Sequence, residues 1–163
     1  MKQFLILCFA WCISTYAMAS NTISLSSVSG TPQTEVEVVV SLDNTDAITA
    51  LEMNIPLGKH LSYVNSSATL ATTRSNGHQL STAQVGQELR IYIYSLSLNA
   101  LQGNTGELLT FRLQLGEEPS DYALIPTVVL SNAQGTSIDG SVQAGNVTIQ
   151  APKLQIVNPQ IDY

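Results

Sequence analysis

The chain has 163 residues, a formal net charge of −6, 11% charged residues and 44% apolar ones. That length suits one domain, and a chain of this size buries roughly 68–70% of its unfolded surface, so its core needs no metal or disulfide. The acidic balance and the lack of any basic cluster exclude the phosphate-neutralising surface that nucleic acid or an anionic membrane requires.

The first element in chain order reads as a leader. Residues 1–19 carry one basic residue, Lys2, an apolar run over residues 4–13, and Ala17-Met18-Ala19 as an A-x-A cleavage site. They are expected to be a signal peptide removed before Ser20. The run falls short of the roughly 20 apolar residues that cross a bilayer. Both cysteines, Cys8 and Cys12, leave with it, as does the only tryptophan, Trp11. Leu7 and Trp11 precede the cysteines, so neither follows the small residue that bacterial lipidation needs. Loss of Lys2 makes the mature charge −7. Disulfides, thiol catalysis and Cys-based zinc sites are thereby excluded from the mature chain. The expected location is extracellular, secreted or at the cell surface of a bacterium, with no membrane insertion after cleavage.

Residues 20–150 read as one β domain. Ser, Thr, Asn and Gln abound, charges are sparse, and β-branched residues recur in short runs between Gly, Asn and Pro. The runs are residues 21–26, 35–42, 48–57, 61–64, 78–85, 88–96, 108–115, 128–130 and 146–150. Nine short strands predict an all-β sandwich. Val36, Val38, Val40 and Leu42 alternate with Glu35, Glu37, Val39 and Ser41, the period of a strand with one wet face. Leu51, Met53 and Ile55 alternate likewise with Glu52 and Asn54.

One hairpin has a register that follows from arithmetic. Gly86-Gln87 separates two alternating runs, and Gly at the first central position suits a two-residue type II′ turn. Val85 then faces Glu88, Ala83 faces Arg90, Ser81 faces Tyr92 and Gln79 faces Tyr94. Leu80, Leu89, Ile91 and Ile93 form the apolar side and are expected to point inward. The other side presents Gln79, Ser81, Ala83, Arg90, Tyr92 and Tyr94. Tyr and Arg on an outward strand are residue types enriched at interfaces. The competing reading is that Tyr-x-Tyr is ordinary strand filler under a loop.

Catalytic patterns are missing from the sequence. There is no G-x-S-x-G elbow, P-loop, H-E-x-x-H or G-x-G-x-x-G. His60 and His78 stand in polar, turn-like surroundings and are expected to be solvated. Glu117, Glu118 and Asp121 flank Pro119 and read as a solvated loop. Asp43-Asn44-Thr45-Asp46 lacks the glycine and the distant Glu of a calcium loop, and a turn between strands explains it better. No cofactor or metal is expected, and the balance is against an enzyme.

The order of these features resembles a known family. Val28-Ser29-Gly30, then Glu35-Val36-Glu37-Val38-Val39-Val40-Ser41-Leu42-Asp43-Asn44, then Ile48-Thr49-Ala50-Leu51-Glu52-Met53-Asn54-Ile55 are similar to the opening strands of cohesin domains. Leu89-Arg90-Ile91-Tyr92-Ile93-Tyr94, the Gly-containing turn from Leu101 to Gly106, and Leu108-Leu109-Thr110-Phe111-Arg112-Leu113 resemble that family's sixth and seventh strands. Ile125-Pro126-Thr127-Val128-Val129-Leu130-Ser131 and Val147-Thr148-Ile149 would be the eighth and ninth. The chain departs from the pattern at Val39, where many cohesins have proline, at Asn54-Ile55-Pro56, and in the Ser/Thr-rich stretch 65–76.

The resemblance implies a nine-stranded jelly-roll sandwich that binds a dockerin module on the sheet built from the family's fifth, sixth, third and eighth strands. Carried over, that surface takes Gln79, Ser81, Ala83, Arg90, Tyr92 and Tyr94 with Glu52 and Asn54. A polysaccharide is the alternative ligand, though stacking on sugar faces usually needs coplanar Trp or Tyr, and only five tyrosines remain after cleavage. A structural or adhesive spacer is the third reading. Residues 151–163 begin with Ala151-Pro152 and resume an apolar pattern at Leu154, Ile156, Val157, Ile161 and Tyr163. They read as a linker or the start of a following β domain.

Overall fold

The computed structural model describes residues 21–151, and within them every regular element is a strand. The expected signal peptide and residues 152–163 lie outside the described residues. In chain order the strands begin with β1 (Thr22–Leu25), β2 (Val28–Gly30), β3 (Glu35–Asp43), β4 (Ala50–Pro56) and β5 (Leu61–Tyr63). There follow β6 (Thr69–Leu70), β7 (Gln79–Val85), β8 (Glu88–Tyr94), β9 (Glu107–Leu115) and β10 (Ser120–Leu124). The last four are β11 (Thr127–Ser131), β12 (Ser137–Ile138), β13 (Ser141–Gln143) and β14 (Gly145–Ile149).

Each of the nine expected runs coincides with a strand, and five more appear. β2, β6, β12 and β13 are two or three residues long, too short for alternation to show. β10 lies between Pro119 and Pro126, in the stretch read as a solvated loop. Its Asp121 is held by Thr148, whose hydroxyl donates to Oδ1 at 2.6 Å from the adjacent β14.

The strands form a sandwich. One wall is the sheet β13-β1-β3-β9-β5, with β6 also on β9, continued by the small sheet β10-β14-β2. The opposing wall is the five-stranded sheet β12-β11-β4-β8-β7. Between them lie Val38, Val40 and Leu42 of β3, Phe111 and Leu113 of β9, Leu51, Met53 and Ile55 of β4, and Leu89, Ile91 and Ile93 of β8. These are the alternate positions of the sequence, so the period of two decides which residues are dry. Each buried side chain of this size stabilises by about 1.5–3 kcal/mol relative to exposure. At Val40/Ser41 the β3–β9 register slips by one, and the extra residue on β9, Leu108, is also buried. Such a bulge bends the strand while keeping both neighbouring leucines in the core.

The hairpin register is as the arithmetic requires. Val85 pairs with Glu88, Ala83 with Arg90, Ser81 with Tyr92 and Gln79 with Tyr94. Gly86 has φ +62° while Gln87 is not among the residues of positive φ, the signature of a type II′ turn. Polar contacts tie the hairpin to the opposite wall. The Tyr63 hydroxyl lies 2.9 Å from Thr82 Oγ1, and Gln84 Oε1 accepts from the Tyr63 backbone N–H at 2.7 Å.

Candidate functional site

β8 is the spine of the outer face of the five-stranded sheet. Burial of Leu89, Ile91 and Ile93 obliges Arg90, Tyr92 and Tyr94 to the other side. Pairing across β11, β4, β8 and β7 then aligns side chains into rows. Thr127, Asn54, Arg90 and Ala83 make one row, and Val129, Glu52, Tyr92 and Ser81 the next. Ser131, Ala50, Tyr94 and Gln79 make the third. With strands about 4.8 Å apart, four of them span about 15 Å.

All eight residues singled out from the sequence therefore lie on one face. Gln79, Ser81, Ala83 and Arg90 are exposed, while Glu52, Asn54, Tyr92 and Tyr94 are half-buried by their neighbours. A shallow groove of about 210 Å³ runs along β4, with Tyr92 and Tyr94 on one side, Val129 and Ser131 on the other, and Ala50 between them. Ala50 makes the groove: a larger residue there would fill the space between Tyr94 and Ser131.

The polar groups are arranged to hold their side chains upright. Asn54 Nδ2 donates to Glu52 Oε1 at 3.1 Å, and Asn54 Oδ1 is buried without a partner. Arg90 Nε donates to Glu88 Oε1 at 2.7 Å, and that hydrogen bond and the charge of Glu88 push the guanidinium pKa further up. With Nε engaged, the terminal nitrogens of the exposed Arg90 have no hydrogen-bond partner among the described residues, which leaves donors suited to a carboxylate or carbonyl.

Val129, Ser131, Ala50 and Thr127 belong to this face and escaped the sequence reading. In Thr127-Val128-Val129-Leu130 three apolar residues stand in a row, so alternation cannot say that Val129 is the outward one, at 49% exposed. The β11–β4 register, which is long-range, decides it.

Elsewhere, two expectations about histidine are corrected. His78 is buried, at the end of the sandwich where Asn76 Nδ2 donates to the Ala100 carbonyl and Asn99 Nδ2 to the Asn76 carbonyl. Its Nδ1 accepts the Asn76 N–H at 3.3 Å, and burial pushes its pKa down. His60 is partly covered, with Nε2 3.1 Å from Glu118 and its ring 6.3 Å from that of Tyr122. The Asp43–Asp46 stretch is held by hydrogen bonds of its own and by Asn21. Asn44 Nδ2 donates to the Asp46 carbonyl at 2.8 Å, and Asn21 Oδ1 accepts the N–H groups of Thr45 and Asp46. Among the described residues no group of three or more His, Cys, Asp or Glu is placed to hold a metal ion. No helix among them is long and apolar enough to cross a membrane.

No family model matches the sequence, and no curated protein is similar enough to match it. Solved structures do match. A non-cellulosomal cohesin from the hyperthermophilic archaeon Archaeoglobus fulgidus is similar at TM-score 0.68 and 16% identity, over 82% of this chain and 93% of that one. The sixth cohesin of scaffoldin B from Acetivibrio cellulolyticus, solved with a Cel5 dockerin mutant, gives TM-score 0.67 at 14% identity, over 80% of this chain and 99% of that one. A type I cohesin–dockerin complex from Clostridium thermocellum gives 0.66 at 14%, over 80% and 99%. A β-sandwich matched along four fifths of its length by these structures has the cohesin domain fold, and that is the fold of this chain.

Proposed function

We propose that the chain is a non-catalytic, cohesin-like module that binds a dockerin-type protein on the outer face of the five-stranded sheet. The observation that carries the reading is the row pattern, which sets Arg90, Tyr92 and Tyr94 beside Glu52 and Asn54, pointing away from the core. Cohesins of the same fold have been solved in complex with dockerins. Binding proceeds by surface complementarity. Tyr92 and Tyr94 supply rigid apolar area at the groove, Arg90 supplies a donor fork, and Glu52 accepts from the partner. The setting we propose is extracellular, in a polysaccharide-degrading or cell-surface assembly.

Calorimetry against a panel of purified dockerins tests the reading. The expected result is at least one dockerin with a Kd below about 1 µM, equivalent to about −8.2 kcal/mol. No binding by any dockerin, together with retention of the chain on insoluble glycan, would replace the protein partner with a polysaccharide.

A further inference from the structure

β7 is the longest edge strand among the described residues. At the other sheet edges β12 and β6 have two residues, and β13, β5 and β2 have three. β10 has five, carries Asp121 and is bounded by Pro119 and Pro126. Brevity, charge, proline or a bulge ordinarily keeps an edge from pairing with another chain. β7 has none of these. Gln79–Val85 is seven residues without charge or proline, in unbroken register with β8.

The tight turn settles which backbone groups are free. Val85 and Glu88 flank it as a hydrogen-bonded pair, and Ala83, Ser81 and Gln79 repeat that pattern along β8. Leu80, Thr82 and Gln84 therefore aim their N–H and C=O groups away from the sheet, where no described residue takes them. The neighbouring edge of the opposite wall differs, because Gln84 Oε1 caps the Tyr63 N–H there.

We infer that β7 pairs antiparallel with β7 of a second copy of this chain, across a two-fold axis at Thr82. The free groups are symmetric about that residue. Leu80 meets Gln84 of the other copy, Thr82 meets Thr82, and Gln84 meets Leu80, so every outward N–H finds a carbonyl. An axis at Ser81 would instead carry Gln84 past the end of the partner strand. Charge favours the same contact: two copies of an acidic chain repel, and β7 is a segment where no carboxylate meets another. On the outer face the pairing sets Ser81 against Ala83, two small residues that leave the strands free to approach. Two five-stranded sheets become one of ten, and the faces bearing Tyr92 and Arg90 become continuous. The contact is small beside that of a stable dimer, so it forms at about 10 µM to 1 mM.

This pairing does not rest on the dockerin reading, and its test needs no partner. Sedimentation velocity of the purified chain across that concentration range should show a reversible monomer–dimer equilibrium. Thr82→Pro removes an N–H that β8 does not use, and should weaken the dimer about a hundredfold or more. The double variant Ser81→Glu/Ala83→Glu should abolish it by setting carboxylate against carboxylate. Ser81→Glu/Ala83→Lys should restore it with a new dependence on salt, because the axis at Thr82 places position 81 opposite position 83. The two charge variants alter exposed positions only, so they decide the register even if Thr82→Pro fails to fold. A monomer at every concentration, or a dimer indifferent to both charge variants, would overturn the inference.

Discussion

The two outer faces of the sandwich are built from the same kind of alternating strand, yet they treat their side chains differently. On the wall β13-β1-β3-β9-β5 the outward polar groups meet each other. Arg112 Nη1 donates to Glu35 Oε2 at 2.6 Å, Thr22 Oγ1 lies 2.9 Å from Ser141 Oγ, and Ser24 donates to Gln143 at 3.2 Å. No outward aromatic interrupts them on β3 or β9. On the five-stranded sheet two tyrosines flank a groove, the terminal nitrogens of Arg90 have no partner among the described residues, and Val129 stands 49% exposed. A face whose groups are already matched within the chain is a finished surface. One that carries aromatic area and unmatched donors is the face on which the proposed dockerin contact rests.

Consecutive residues of β8 give the strongest way to break that contrast. Ile91 is fully buried between the sheets, and Ile91→Ala should destabilise the fold by about 2–5 kcal/mol, read as a fall in the denaturant midpoint with an unchanged m-value. Its neighbour Tyr92 faces the other way. Tyr92→Ala should leave the midpoint within about 1 kcal/mol of the parent while weakening a dockerin identified by calorimetry by about 2 kcal/mol or more. A large stability loss at Tyr92 with unchanged affinity would mean that the ring serves the fold rather than a partner.

Much of this was legible in the sequence, and the reason is locality. The two-residue turn at Gly86-Gln87 pins the β7–β8 register, so the orientation of Arg90, Tyr92 and Tyr94 follows from counting. Alternation in β3 and β4 likewise marks Val38, Met53 and Ile55 as dry. What escaped depends on distant segments meeting. β13 is exposed along its whole length and exists as a strand only because it runs parallel to β1. Arg74 carries no sequence mark of burial, yet it is 2% exposed beneath the 43–46 and 101–106 loops, where Nη2 bonds Asn44 Oδ1. His78 is buried by that same loop end of the sandwich. Val129 is outward through a pairing that no local turn fixes.

The buried histidine should make stability at the loop end depend on pH. Burial lowers the His78 pKa from the ordinary 6.5, outweighing a favourable influence from the Thr49 backbone. With Nδ1 accepting from Asn76, the neutral ring carries its proton on Nε2. The unfolded chain binds this proton more readily than the folded one. Stability from this residue is therefore complete above about pH 6.5 and declines as pH falls through that value toward the lowered one. Urea melts of the parent and of His78→Gln between pH 5 and 8 should diverge in slope, with the glutamine variant flatter. Parallel curves would show that the ring titrates as it does when unfolded.

The smallest effect is expected on the matched face. Arg112 and Glu35 form an exposed cross-strand pair, side chains 49% and 39% accessible, so solvent screens their attraction. A double-mutant cycle with Arg112→Gln and Glu35→Gln should return a coupling of about 0.2–1 kcal/mol that shrinks further at high salt. The same substitutions should leave dockerin affinity unchanged, since they lie on the wall opposite Tyr92. Loss of affinity in either variant would move the binding surface to β3 and β9. The outward tyrosines of β8 would then be the strand filler that a Tyr-x-Tyr pattern also permits.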